Sequence, residues 1–288
     1  MASIEKDPVS GQYTTGHEWD GICELNTPLP KWWVYVFWAT IVFSIGYWIV
    51  YPAWPTPDGF TPGIWHWSAR GLLDQELEDQ KTERSAWLSK IQSMAVEDIE
   101  KDKTLLNYAM AGGKIAFGDN CAACHGNGGV GAPGAYPSLA DDVWLWGGTL
   151  ADIQQTITHG VRNDDPDSRA SVMPSFGADG ILQPEQIQQV AAYVAAVSHH
   201  QDTQGLPGEA IFKDNCTVCH GENAEGNQAV GAPPLNTLVR TFTKPTAEGI
   251  AAQVTQPKMG SMPSWGRRLD PATIKMLTVY VHSLGGGK

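Results

Sequence analysis

Gly113-Lys-Ile-Ala-Phe117-Gly-Asp-Asn-Cys121-Ala-Ala-Cys124-His125-Gly126 returns later in the chain as Gly208-Glu-Ala-Ile-Phe212-Lys-Asp-Asn-Cys216-Thr-Val-Cys219-His220-Gly221. Glycine, phenylalanine, Asp-Asn and Cys-x-x-Cys-His keep their offsets in both copies, so this part of the chain is an internal duplication. The match continues downstream. Pro137-Ser-Leu139 answers Pro233-Pro-Leu235, and Met173-Pro-Ser-Phe-Gly177 answers Met262-Pro-Ser-Trp-Gly266. Each copy closes with an amphipathic helix begun by proline: Pro184 to Ser198, with Ile187, Val190, Tyr193 and Val194, and Pro271 to Ser283, with Ile274, Leu277, Tyr280 and Val281. The joint between them, His199 to Pro207, is short and polar.

Cys-x-x-Cys-His points to covalent haem. Two thiols at this spacing form thioethers to both vinyl groups of one haem, and the histidine that follows is held beneath the iron. A thioredoxin-like redox pair needs a βαβ context that is absent, and a four-cysteine zinc site brings its pairs closer together. A disulfide explains the cysteines but neither histidine. Cys121, Cys124, His125, Cys216, Cys219 and His220 are therefore the expected haem-binding residues. A soft thioether is the expected sixth ligand, and Met173 and Met262 qualify because both stand in Met-Pro-Ser-aromatic-Gly. Met259 lacks that context, and Met94, Met110 and Met276 read as linker or core residues. His159 has no counterpart in the second copy and reads as a surface or haem-edge histidine. The carbonyls near Pro137 and Pro233 are expected to accept from His125 and His220. Phe117 and Phe212, with Tyr193 and Tyr280, are expected to pack each copy's first helix on its last. Spacing leaves one alternative open: each methionine serves its own copy, or the two methionine segments are exchanged.

Composition narrows the class. The 288 residues carry a net charge of −12, with 42 % hydrophobic and 17 % charged residues, which excludes a disordered polyelectrolyte and a basic nucleic-acid binder. Trp32 to Tyr51 is free of charge and, as a helix about 30 Å long, just spans a bilayer core. Aromatics crowd both ends, and no small-residue cleavage site follows, so the segment reads as an uncleaved single anchor. From about Leu72 to Lys103 the chain is charged and helix-friendly, with Glu97 and Lys101 one turn apart, and reads as a solvated linker helix. The expected organisation is a tail (1–31), an anchor (32–54), a linker (55–103) and two haem domains (104–198 and 199–288), all mainly helical.

This layout resembles class I cytochrome c domains and, more narrowly, the di-haem subunit of cbb3-type cytochrome c oxidases, the CcoP or FixP family. The resemblance covers essentially the whole chain. Gly16-His-Glu-Trp-Asp-Gly-Ile22, Glu24-Leu25-Asn26 and Pro28-Leu29-Pro30 also look like that family's N-terminal tail. What it implies is electron entry into an oxidase. Electrons would come from a periplasmic cytochrome c or the quinol-oxidising cytochrome bc1 complex and leave for the mono-haem subunit and the haem–copper core. The chain itself has one span and no set of intramembrane histidines, so it is expected to be an accessory subunit and not the oxygen-reducing enzyme. A di-haem carrier for another respiratory dehydrogenase or reductase has the same chemistry. A di-haem peroxidase or a gas sensor requires an open iron. Attachment of this type of haem occurs outside the bacterial cytoplasm, which places both haem domains in the periplasm, residues 1–31 in the cytoplasm, and Cys23 as a free thiol. Residues 104–198 carry three basic and nine acidic side chains against eight and seven in 199–288, so the first domain is expected to face a basic donor.

Overall fold

The computed structural model describes residues 3–239 and 241–285, so Arg240 and 286–288 of the second repeat lie outside the described residues. The chain forms two compact units, Met1–Glu83 and Arg84–Lys288.

In the first unit a hairpin pairs β1 (Thr14–Trp19) with β2 (Ile22–Leu25) around Asp20-Gly21, both at positive φ as a tight hairpin turn requires. Cys23 lies exposed on β2. The apolar helix α1 (Lys31–Val50) has a mean hydropathy of 1.7 and no buried residue. Its two hydroxyls are satisfied within the helix, Thr40 donating to Phe37 O and Ser44 to Thr40 O, as a lipid environment demands. Pro52 ends it. The chain then turns through a small hairpin, β3 (Pro55–Thr56) and β4 (Gly59–Phe60), and folds back. Ile64 and Trp65 donate their N–H groups to the carbonyls of Ile49 and Val50, two of the acceptors every helix end leaves over. That approach requires Gly63, since a Cβ there would lie 2.3 Å from Val50 O. Trp65 and Trp67 pack edge-on to Tyr51, and Trp54 to Trp48, so the aromatics expected at this end of the helix stack on one another.

The sequence predicts one solvated helix from Leu72 to Lys103. Instead there are three: α2 (Ala69–Ser93), α3 (Val96–Lys101) and the start of α4 (Lys103–Asn120). The reason is burial. Ile91, Val96, Ile99 and Leu105 are all fully or almost fully buried in one cluster with Ala272, Met276 and Val279, and a straight helix could not turn them all inward. Asp102 caps α4, accepting from Thr104 N and Leu105 N, and its carboxylate is held below the usual range chiefly by Lys90 at 2.7 Å. Lys101 pairs with Asp98 at 2.7 Å; Glu97, its expected partner, adds only a weaker attraction.

After α4 the haem-motif turn is α5 (Ala122–His125), followed by α6 (Leu150–His159), α7 (Pro184–Ser198), α8 (Gly208–Asn215), α9 (Thr217–His220), α10 (Ala247–Thr255) and α11 (Pro271–Leu284). Their pairing overturns the expectation that each copy's first helix packs on its own last helix. α4 packs on α11, and α8 on α7. The ring contacts are Phe117 with Tyr280 (5.4 Å) and Tyr193 with Phe212 (5.5 Å), each joining one copy to the other. The repeated glycines explain the crossings. A Cβ on Gly113 would sit 2.2 Å from Met276 O and 2.7 Å from Tyr280 Cβ; on Gly208 it would sit 2.1 Å from Gln189 O and 2.7 Å from Tyr193 Cβ. In consequence α7, α8, α9 and α10 form one contiguous module, while the other combines α4, α5 and α6 with the distant α11.

Candidate functional site

The two Cys-x-x-Cys-His turns are built alike. Cys121 N donates to Phe117 O and Cys216 N to Phe212 O, each at 2.8 Å, so the first cysteine ends the helix; His125 N and His220 N then donate back to Cys121 O and Cys216 O at 2.9 Å. Gly126 and Gly221, at φ 74° and 78°, stop the short turn. The expected imidazole contacts are present. His125 Nδ1 donates to Pro137 O at 3.1 Å and His220 Nδ1 to Pro233 O at 2.9 Å, which makes Nδ1 the protonated nitrogen and puts the ring's lone pair on Nε2, the atom that could hold a metal. Burial holds His125 below the usual histidine range, against the raising effect of the Pro137 bond.

The thiols do not resemble a reactive redox pair. All five cysteines are free, and Cys121 and Cys216 are pushed up to about 11, first by burial and then by the neighbouring cysteine. A redox dithiol needs the opposite shift.

The methionines cross over with the helices. Met262 packs against the cluster of Phe117, Ile153, Leu277 and Tyr280, where Cys121 and Ala122 also lie. Met173 packs against Phe176, Phe212 and Val254, beside Cys216 and Leu235. Each methionine therefore shares an apolar cluster with the first cysteine of the other copy's motif. Met259 is 40 % exposed, whereas Met276 is 7 % exposed between α4 and α11. His159 is engaged elsewhere, its Nδ1 3.2 Å from Asp165 Oδ1. Asp165 is held below the usual carboxylate range mainly by the N–H of Asp167 and then by His159.

One buried atom tests whether these residues suit haem. Among the described residues, Trp144 Nε1 is the only buried side-chain nitrogen or oxygen without a partner, and Trp144 packs in the cluster that holds Cys121 and Met262. An unsatisfied buried donor costs about 1–3 kcal/mol, so it calls for an acceptor. A haem propionate is such an acceptor, and the paired thiols, imidazole and thioether are the donor set for c-type haem. The residues fit the group. Nothing in the motifs singles Trp144 out from the other tryptophans of the chain, which is why sequence reasoning missed it.

Residues 11–58 match the family profile described as the N-terminal domain of cytochrome oxidase-cbb3, FixP. Residues 109–198 match cytochrome c, and 203–281 match cytochrome C oxidase, cbb3-type, subunit III. The chain is 50 % identical over 297 residues to the cbb3-type cytochrome c oxidase subunit CcoP of Azospirillum brasilense, covering 100 % of both chains. It is 50 % identical over 287 residues to the subunit FixP of Bradyrhizobium sp. (strain ORS 278), covering 99 % of this chain and 98 % of the relative. With FixP of Rhizobium meliloti (strain 1021) it shares 47 % over 288 residues, 98 % and 97 % of the two chains.

The chain belongs to the CcoP/FixP family.

As a CcoP/FixP chain it is a membrane-anchored, accessory electron-transfer subunit of a cbb3-type oxidase, and its two cytochrome c domains carry two covalent haem c groups. The mainly helical fold with one N-terminal apolar helix agrees with the sequence reading. When bound, such a haem supplies one-electron Fe(III)/Fe(II) chemistry. The CcoP/FixP chain's own part, seen in the contacts of His125 and His220 with the carbonyls of Pro137 and Pro233, is to orient the imidazoles.

Proposed function

We propose that Cys121 and Cys124 bind the first haem, with His125 and Met262 as its axial ligands, and that Cys216 and Cys219 bind the second, with His220 and Met173. The observation that carries this pairing is the packing of each methionine into the same apolar cluster as the first cysteine of the opposite copy. Two closed donor sets suit outer-sphere electron transfer, because neither leaves a position for a substrate.

On this reading the subunit accepts electrons from a periplasmic cytochrome c or the quinol-oxidising bc1 complex. It hands them to the mono-haem subunit and the haem–copper core. The donor is a basic protein. Asp142, Asp164 and Asp167 are exposed, while Asp141 and Asp165 are partly buried and accept backbone N–H groups, so the first three lead the encounter. Converting Asp142, Asp164 and Asp167 to asparagine is expected to flatten the dependence of electron-entry rate on ionic strength. An unchanged slope would show that the donor docks elsewhere.

Residues 1–31 lie in the cytoplasm and both haem modules in the periplasm. Cys23 is the probe, since it is exposed and lies ahead of α1. A membrane-impermeant maleimide is expected to leave Cys23 unlabelled in intact cells and to label it after lysis. Labelling before lysis would reverse the orientation.

A further inference from the structure

The chain passes twice between the two modules, outward near Ser171 and back near Gly260, and both crossings are tied to one short segment, Gly160 to Asn163. Val161 and Met262 exchange both backbone hydrogen bonds, Val161 N to Met262 O at 3.0 Å and Met262 N to Val161 O at 2.8 Å. On its other side Arg169 N donates to Gly160 O and Arg162 N to Arg169 O. Gly160 has no room for a side chain, since a Cβ would lie 2.3 Å from Met262 O. Two residues on, Arg162 has φ 50°, a left-handed conformation that is unfavourable for a residue other than glycine. Strain of this kind persists only where its surroundings hold it.

Arg162 is held by its guanidinium. Nε donates to Gly260 O at 2.8 Å and Nη1 to Ser171 O at 3.2 Å. Gly260 stands two residues before Met262, and Ser171 two residues before Met173. One planar fork thus grips the equivalent carbonyl on both methionine strands. The side chain is half-buried, burial pulls its pKa down, and among the described residues no carboxylate stands within ion-pair distance of it. Asn163 makes a one-sided contact by comparison, donating to Met262 O at 2.7 Å and to His159 O at 2.9 Å.

We propose that Arg162 is a positioning residue shared by both methionine ligands, its guanidinium fork fixing the strand ahead of each sulfur so that the two haem sites are set together. This rests on the ligation proposed above. Lysine carries the charge on a single ammonium that cannot reproduce a rigid two-carbonyl fork. A loosened strand leaves the thioether, a weak ligand, free to dissociate more often.

The test uses the full-length, haem-loaded chain in detergent as wild type, Arg162→Lys, Arg162→Met and Asn163→Ala. Three quantities are read: the near-infrared sulfur-to-iron(III) charge-transfer band, the two midpoint potentials, and the rate of imidazole uptake by the ferric haems. Both Arg162 variants are expected to weaken the band, to speed imidazole uptake at both haems and to lower both potentials. Arg162→Lys, which keeps the charge and is the milder change, keeps the comparison open should Arg162→Met not fold. Asn163→Ala is expected to affect one haem alone. Changes confined to one haem, or absent, in Arg162→Lys would overturn the shared role. A wild-type spectrum without the band would overturn the methionine ligation instead.

Discussion

Replacing Met262 with leucine is expected to lower the potential of the haem attached to Cys121 and Cys124, and to leave the other haem near its wild-type value. Leucine and methionine have similar volumes, so the packing against Phe117 and Tyr280 survives while the sulfur is lost. Axial ligation spans about 0.8 V of haem potential, and loss of a thioether is expected to move the first haem down by on the order of 0.2 V. The vacated position should also let the ferrous iron bind carbon monoxide. The assignment is cleanest in a Cys216→Ala/Cys219→Ala background, where only the first haem is attached. There Met262→Leu should change the spectrum and Met173→Leu should not. The opposite result would return each methionine to its own copy and overturn the proposed pairing.

Much of this was legible from the residues, and the part that was not has a definite cause. Cys-x-x-Cys-His, the proline carbonyls and the Met-Pro-Ser segments are local patterns, and the His125–Pro137 and His220–Pro233 contacts stand where local spacing put them. Helix partnering is not local. Periodicity shows that α11 has an apolar face but not which first helix receives it, because Gly113 and Gly208 offer the same notch and Tyr193 and Tyr280 the same ring. Two copies that satisfy each other's contacts equally well make the choice one of connection, which sequence periodicity does not encode.

The linker misled for a related reason. Its charge pattern describes the outer face of α2, whereas Ile91, Val96 and Ile99 are too widely spaced to suggest a common core until the breaks at Ala95 and Asp102 fold them together. Lys275 secures this corner, its ammonium donating to the carbonyls of Gln92 (2.9 Å) and Met94 (2.5 Å) at the end of α2. The lower linker is thus part of the first haem's module. Asp20-Gly21 between β1 and β2 is itself a strong hairpin signal, legible in the residues because a tight turn needs positive φ at both positions.

The regrouped packing makes the two modules unequal, and this gives the largest expected stability effects. Gly113→Leu drives a side chain into Met276 O and Tyr280 Cβ, and Gly208→Leu does the same at Gln189 O and Tyr193 Cβ. Neither neighbour is the loose end of a side chain, so each substitution should cost its own helix crossing about 3 kcal/mol or more. The consequences then diverge. The second haem's module is contiguous, so it should survive Gly113→Leu, with α7 and α8 still protected from hydrogen exchange while α4 and α11 open. The first haem's module is interrupted by the second. When Gly208→Leu unfolds the insert, α11 is joined to α6 only through a floppy loop, residues 160–270, whose closure costs roughly 4 kcal/mol. Gly208→Leu should therefore deprotect all four helices and Gly113→Leu only two. Equal loss from both variants would mean that the modules unfold as one cooperative body, and that the insertion carries no asymmetry of stability.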